Sequence, residues 1–177
     1  GTSALLSYQF LVKKVVFKIS ILPIIKIISA LFIHIFLVAV TLILLMLNGY
    51  YPSIYWLQII YFTFCTFMLV LGMSYITCSI VVFFRDLGQI ISIALQVGVW
   101  ITPIMWHLDD LSRPMQILFK INPVYYVVDG YRMALLDHMW FWEHFYSTAY
   151  FWTFTVVTFL IGALVFKRLK VHFADIL

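Results

Sequence analysis

LPIIKIISALFIHIFLVAVTLILLML, residues 22–47, sets one lysine, one serine, one histidine and one threonine among otherwise apolar side chains and a proline. A run of this length exceeds the roughly 20 residues that carry a helix across a bilayer. A backbone in lipid must satisfy its own hydrogen bonds, and a helix does so within one segment. Three further runs have the same character: 55–83 (YWLQIIYFTFCTFMLVLGMSYITCSIVVF), 87–106 (LGQIISIALQVGVWITPIMW) and 147–166 (STAYFWTFTVVTFLIGALVF). None alternates in the manner of a barrel strand. The expected fold class is therefore an all-α integral membrane protein, a polytopic helical bundle with four spans.

Composition leads to the same place. Of 177 residues, 65% are hydrophobic and 10% are charged, whereas soluble domains carry about a quarter charged residues. A water-soluble domain is excluded. The length allows several membrane helices but not a multi-domain machine. The opening GTSALLSYQF lacks a basic region followed by a cleavage site, so no signal peptide is expected.

The net charge of +4 is not gathered into a patch, so nucleic acid is not an expected partner. Lys13, Lys14 and Lys18 precede the first run, and Lys167, Arg168 and Lys170 follow the last. Basic residues at span ends mark the cytoplasmic side. Both ends of the chain are accordingly expected in the cytoplasm. NGYYPS at 48–53 reads as an outer turn, FFRDLG at 83–88 as an inner one, and 107–145 as an outer segment. Cys65 and Cys78 lie inside apolar runs and read as small buried side chains.

The outer segment is too long for a turn and has no run long enough to cross. Within it, Asn122 is a favoured N-cap, and Pro123 suits the first helical position. The apolar stretch that follows has the length of a re-entrant helix. Asp129 and Arg132 interrupt it three residues apart, on one face, where they can pair. With PMQILF at 114–119 as the other arm, residues 112–137 form an expected outer re-entrant hairpin. The aromatic cluster WFWEHFY at 140–146 would anchor the last span at the interface.

Polar residues within the spans carry two readings. Lys26 is close enough to the cytoplasmic face to snorkel. His34 reads as a helix–helix hydrogen-bond partner, with a proton relay as the alternative. Gly88, Ser92, Gln96 and Trp100 recur every fourth residue and share a face of the third span. That face should look into the bundle or a partner subunit, for helix packing, for lining a pathway, or for both. Ser74, Thr77 and Cys78 in the second span invite the same choice. No G-x-x-x-x-G-K-[ST] occurs, so a P-loop is absent. His107, Asp109 and Asp110 have no matching ligand set and read as loop charges. Composition and spacing indicate a conduit or scaffold.

LVKKVVF at 11–17, ILP at 21–23, FRDLGQI at 84–90, Gln96 with TPIMW at 102–106, NPVYYVVDGYR at 122–132 and KRLKVHFADIL at 167–177 occur in an order that resembles ABC-2 type permeases exporting polysaccharides. The ending HFADIL is similar to that of members that translocate teichoic acid. The resemblance implies a single ABC-2 type transmembrane domain over 1–177, without the family's N-terminal amphipathic helix and first two of six spans. It implies a bacterial cytoplasmic membrane protein, two permease copies and two ATPase subunits, with ATP and magnesium bound by the ATPases and no cofactor in this chain. The cargo would be an undecaprenyl-linked polymer. Residues 4–18, with Lys13, Lys14 and Phe17, resemble the coupling region, and Arg85 and Asp86 the second cytoplasmic turn. Lys18 departs from the proline common there. Ser92, Gln96, Trp100, Tyr125, Tyr126 and Tyr131 become candidates for lining the conduit, with the tyrosines' ordinary interfacial role as the alternative. Rival expectations are an exporter of a small drug or lipid, a membrane enzyme on lipid-linked sugars using His107, Asp109 or Asp110, and a purely structural subunit.

Overall fold

The computed structural model describes residues 21–84, 86–102 and 112–169, and among them all regular structure is helical. Helix α1, Ile21–Leu47, has 27 residues. At about 1.5 Å per residue it is about 40 Å long, more than the roughly 30 Å of a hydrocarbon core. Gly49 then turns the chain with φ at 89°, a conformation open to glycine because it has no Cβ. A 3-10 turn, Ile54–Leu57, leads into α2, Gln58–Val81, and the next helix is α3, Leu87–Ile101.

Of the expected third span, 87–106, the described residues reach Thr102. Helix α3 has 15 residues, and Thr102 is extended with ψ at 128°. Thr102 precedes Pro103, whose ring disfavours the helical conformation in the residue before it. Three helical segments among the described residues are long and apolar enough to cross a membrane: Ile21–Leu47, Ile54–Val81 and Phe141–Leu169. Helix α3 is the shorter apolar companion.

The hairpin consists of α4, Arg113–Lys120, and α5, Pro123–Arg132, which runs on through a π turn, Met133–Asp137. Asn122 has extended φ and ψ, and its side chain accepts a hydrogen bond from the Val124 N–H at 3.0 Å. That bond satisfies one of the donors a helix start leaves open. His138, at φ 55°, ends the π turn. A second 3-10 turn, Phe141–His144, opens α6, Phe145–Leu169.

Helices α2 and α6 form the central pair. Gly72 on α2 and Gly162 on α6 let the two backbones approach, the small-residue contact that stands in for the hydrophobic effect between helices in lipid. Two apolar clusters cap this pair. At one end Phe62, Cys65 and Leu69 of α2 meet Tyr126 and Val127 of the hairpin and Phe151 of α6. At the other, Leu22 joins Cys78, Val82 and Phe166. Ser74 and Cys78, which the sequence left between packing and pathway roles, are buried in this packing.

Beyond Leu22, helix α1 touches the rest through a narrow stripe, Ile27, Leu31, His34, Val38, Leu42 and Leu45, at steps of three or four. Phe32, Ile33 and Phe36 on its other side are exposed, as a lipid-facing surface should be.

Candidate functional site

Several polar residues of the spans converge on the hairpin. Tyr131, in the last turn of α5, places its hydroxyl 2.9 Å from Nε2 of His34 on α1 and 2.8 Å from Oγ1 of Thr63 on α2. A phenol offers one donor and two acceptor sites, so it can serve both partners at once. His34 is thus a helix-to-hairpin hydrogen-bond partner, the first of the two roles its sequence position allowed.

One and a half turns earlier, Tyr126 makes a parallel bridge. Its hydroxyl lies 3.3 Å from that of Tyr61 on α2 and 2.9 Å from Oγ1 of Thr148 on α6. The Trp152 indole N–H donates to the Tyr61 hydroxyl at 2.9 Å. Phe151 stacks on the Tyr126 ring with centroids 4.7 Å apart. Between the two bridges Gly130 faces Phe62 so closely that a Cβ would overlap the ring. Tyr126 and Tyr131 therefore commit their hydroxyls to holding the hairpin within this chain.

Further ties surround them. The Gln58 side chain donates to the Met139 carbonyl and accepts from the Phe141 N–H, both at 2.8 Å. Tyr150 donates to the Ile121 carbonyl at 2.6 Å, and the Asn122 amide donates to the Thr102 hydroxyl at 3.1 Å. The last bond links the end of α3 to the hairpin elbow. Sequence reasoning passed over Gln58, Thr63 and Thr148. Their only signal was a polar residue at the edge of, or within, an apolar run.

A small polar cleft opens beside these bonds, lined by Lys120, Tyr125, Asp129, His144, Ser147 and Tyr150 together with Tyr126 and Met133. Burial pushes the Asp129 carboxyl above its ordinary range. A hydrogen bond from Tyr125 and the charges of Arg132, His144 and Lys120 oppose that rise. Arg132, the partner expected for Asp129, is one of several charges that act on its carboxyl.

Helix α3 places Ser92 and Gln96 in the open, and Trp100 is 81% exposed. The face expected to look into a bundle is uncovered in this chain. Asp86 is exposed just before α3. Lys13, Lys14, Phe17, Arg85, His107, Asp109 and Asp110 lie outside the described residues. Among the described residues, no group of three or more His, Cys, Asp or Glu side chains could hold a metal. The hydroxyl, amide and imidazole bonds join helix to hairpin, an arrangement suited to holding an element in place.

Long apolar helices around a close-packed pair, with a helical hairpin bonded across one end, define a polytopic α-helical membrane domain. The sequence model of the ABC-2 type transporter family matches residues 5–136, and the chain belongs to that family. Two relatives, each an O-antigen export system permease protein RfbA of Klebsiella pneumoniae, are 26% identical over 176 residues. Those alignments take in 94% of this chain and 64% of each relative, so the chain spans a little under two thirds of their length.

Proposed function

We propose that this chain is the transmembrane part of an ATP-driven exporter that moves a lipid-linked cell-surface polysaccharide across the bacterial cytoplasmic membrane. The observation that carries the reading is the ABC-2 family match over 5–136, joined to the likeness over most of this chain to permeases of O-antigen export. Within that class the ending HFADIL favours a teichoic acid-like polymer on an undecaprenyl carrier. The role is transport. ATP and magnesium belong to two partner ATPase subunits, and a second copy of the permease completes the path.

In this reading both ends of the chain lie in the cytoplasm and the hairpin lies outside. Closure of the ATPases presses on the coupling segment 4–18, with Lys13, Lys14 and Phe17, and on the turn at Arg85 and Asp86. The permease halves shift, and a path opens along α3 past Ser92, Gln96 and Trp100. The exposure of those three side chains leaves them available to the second copy and to the polymer. Tyr125 flanks the exit beside the polar cleft.

The test is depletion in the host with the full-length protein as rescue. Lipid-linked polymer should accumulate on the cytoplasmic side while the cell surface loses it, and an ATPase should copurify with the permease. Normal surface polymer after depletion, or no copurifying ATPase, overturns the proposal.

A further inference from the structure

We infer that His34 and Tyr131 are positioning residues that pass movement of α1 to the hairpin, forming a joint that works by a breakable hydrogen bond. The inference rests on the exporter reading for its purpose and on geometry for its substance.

Three observations support it. First, Ser29, Thr41 and Asn48 turn their side-chain hydrogen bonds back onto α1's own carbonyls, whereas His34 reaches across to the hairpin at 2.9 Å. Second, α1 is not close-packed around that bond. A groove of about 200 Å³ lies on one side, between His34, Leu31, Thr63 and Phe67. Another of about 270 Å³ lies on the other, between His34, Val38, Tyr131 and Leu135. Helix α1 therefore meets its neighbours there along a narrow line, and tightly interdigitated helices would resist relative movement more.

Third, the hairpin is built to pivot there. Its first half is held by Tyr126 to Tyr61 and Thr148, and Gly130 bears directly on Phe62. Just beyond Tyr131 the helix passes into the π turn Met133–Asp137, a departure from the regular ladder that recurs at functional sites. When α1 moves, Tyr131 can part from His34 and stay on Thr63, so the hairpin changes its partner without losing its place.

The full-length permease with its ATPase, reconstituted in liposomes, tests this with His34→Leu, Tyr131→Phe and His34→Gln. One hydrogen bond inside a membrane supports a change of about three- to twentyfold. Export should fall by that factor in His34→Leu and Tyr131→Phe while ATP hydrolysis stays near the parent rate. His34→Gln, which restores a donor and acceptor of similar reach, should recover export. Spin labels at Phe36 and Val124, both exposed, should report a nucleotide-dependent distance change that His34→Leu abolishes. Export and ATP hydrolysis falling in parallel without rescue by glutamine, or a distance change identical in parent and His34→Leu, overturns the joint. A parent complex that changes distance normally but exports no polymer overturns the exporter reading and leaves the joint standing.

Discussion

Gly162 on α6 lies against the Gly72 carbonyl of α2: a Cβ built on Gly162 would stand 2.8 Å from that oxygen. Neither backbone can yield without separating the helices. Gly162→Ala should therefore destabilise the protein by about 1–3 kcal/mol, the usual cost of overfilling a tight contact. Gly98→Ala, where nothing lies within reach of a Cβ, is the control. Melting temperatures of the two variants in detergent decide the matter. Equal melting of both would mean that the glycine contact does not hold the central pair.

Gln58 should prove the most sensitive polar residue at the hairpin rim. It is 3% exposed and serves both the Met139 carbonyl and the Phe141 N–H. Replacing it with leucine strands two backbone groups, each worth about 1–3 kcal/mol when left buried without a partner. Hydrogen exchange at Phe141 should accelerate in Gln58→Leu and hardly change in Gln58→Glu, which keeps the acceptor for that N–H.

Thr155 offers the opposite sign. It is 1% exposed, and its hydroxyl is buried without a hydrogen-bond partner. Valine keeps the shape and removes the stranded group, whose burial costs about 1–3 kcal/mol. Thr155→Val should raise the melting temperature, and a lower one would show that the hydroxyl is satisfied in the folded protein.

Asp129 makes stability depend on pH. Burial raises its carboxyl above the ordinary value of 3.8, so the folded chain holds this proton more tightly than the unfolded chain does. The associated stability is fully present below 3.8 and is lost as the pH rises through the raised value. Asparagine carries no charge and can still accept from Tyr125. Thermal melts from acidic to neutral pH should show the parent losing stability relative to Asp129→Asn. Parallel curves would refute the assignment.

Several of these features could be read along the chain. Spans appear as apolar runs because lipid solvates every residue of a crossing helix in the same way. Asn122–Pro123 announced its helix because a cap acts within two residues. The hairpin was legible because Val124 and the residues after it are apolar for too short a distance to cross. His34 invited a partner but could not name it. The regular part of α3 ends at Ile101 although the apolar pattern continues, because the ring of Pro103 restricts Thr102.

Taken alone, the amino-acid order determined the lipid-facing character, the approximate helical segments and the position of the hairpin, all of which follow from local hydropathy and local capping. The tertiary structure decided which polar groups meet. His34 and Tyr131 are separated by 97 positions, and Gly72 meets Gly162 across nearly as great a gap. Such meetings depend on how far each helix is rotated and slid against its neighbour. Those are relations between segments that no single stretch of sequence contains.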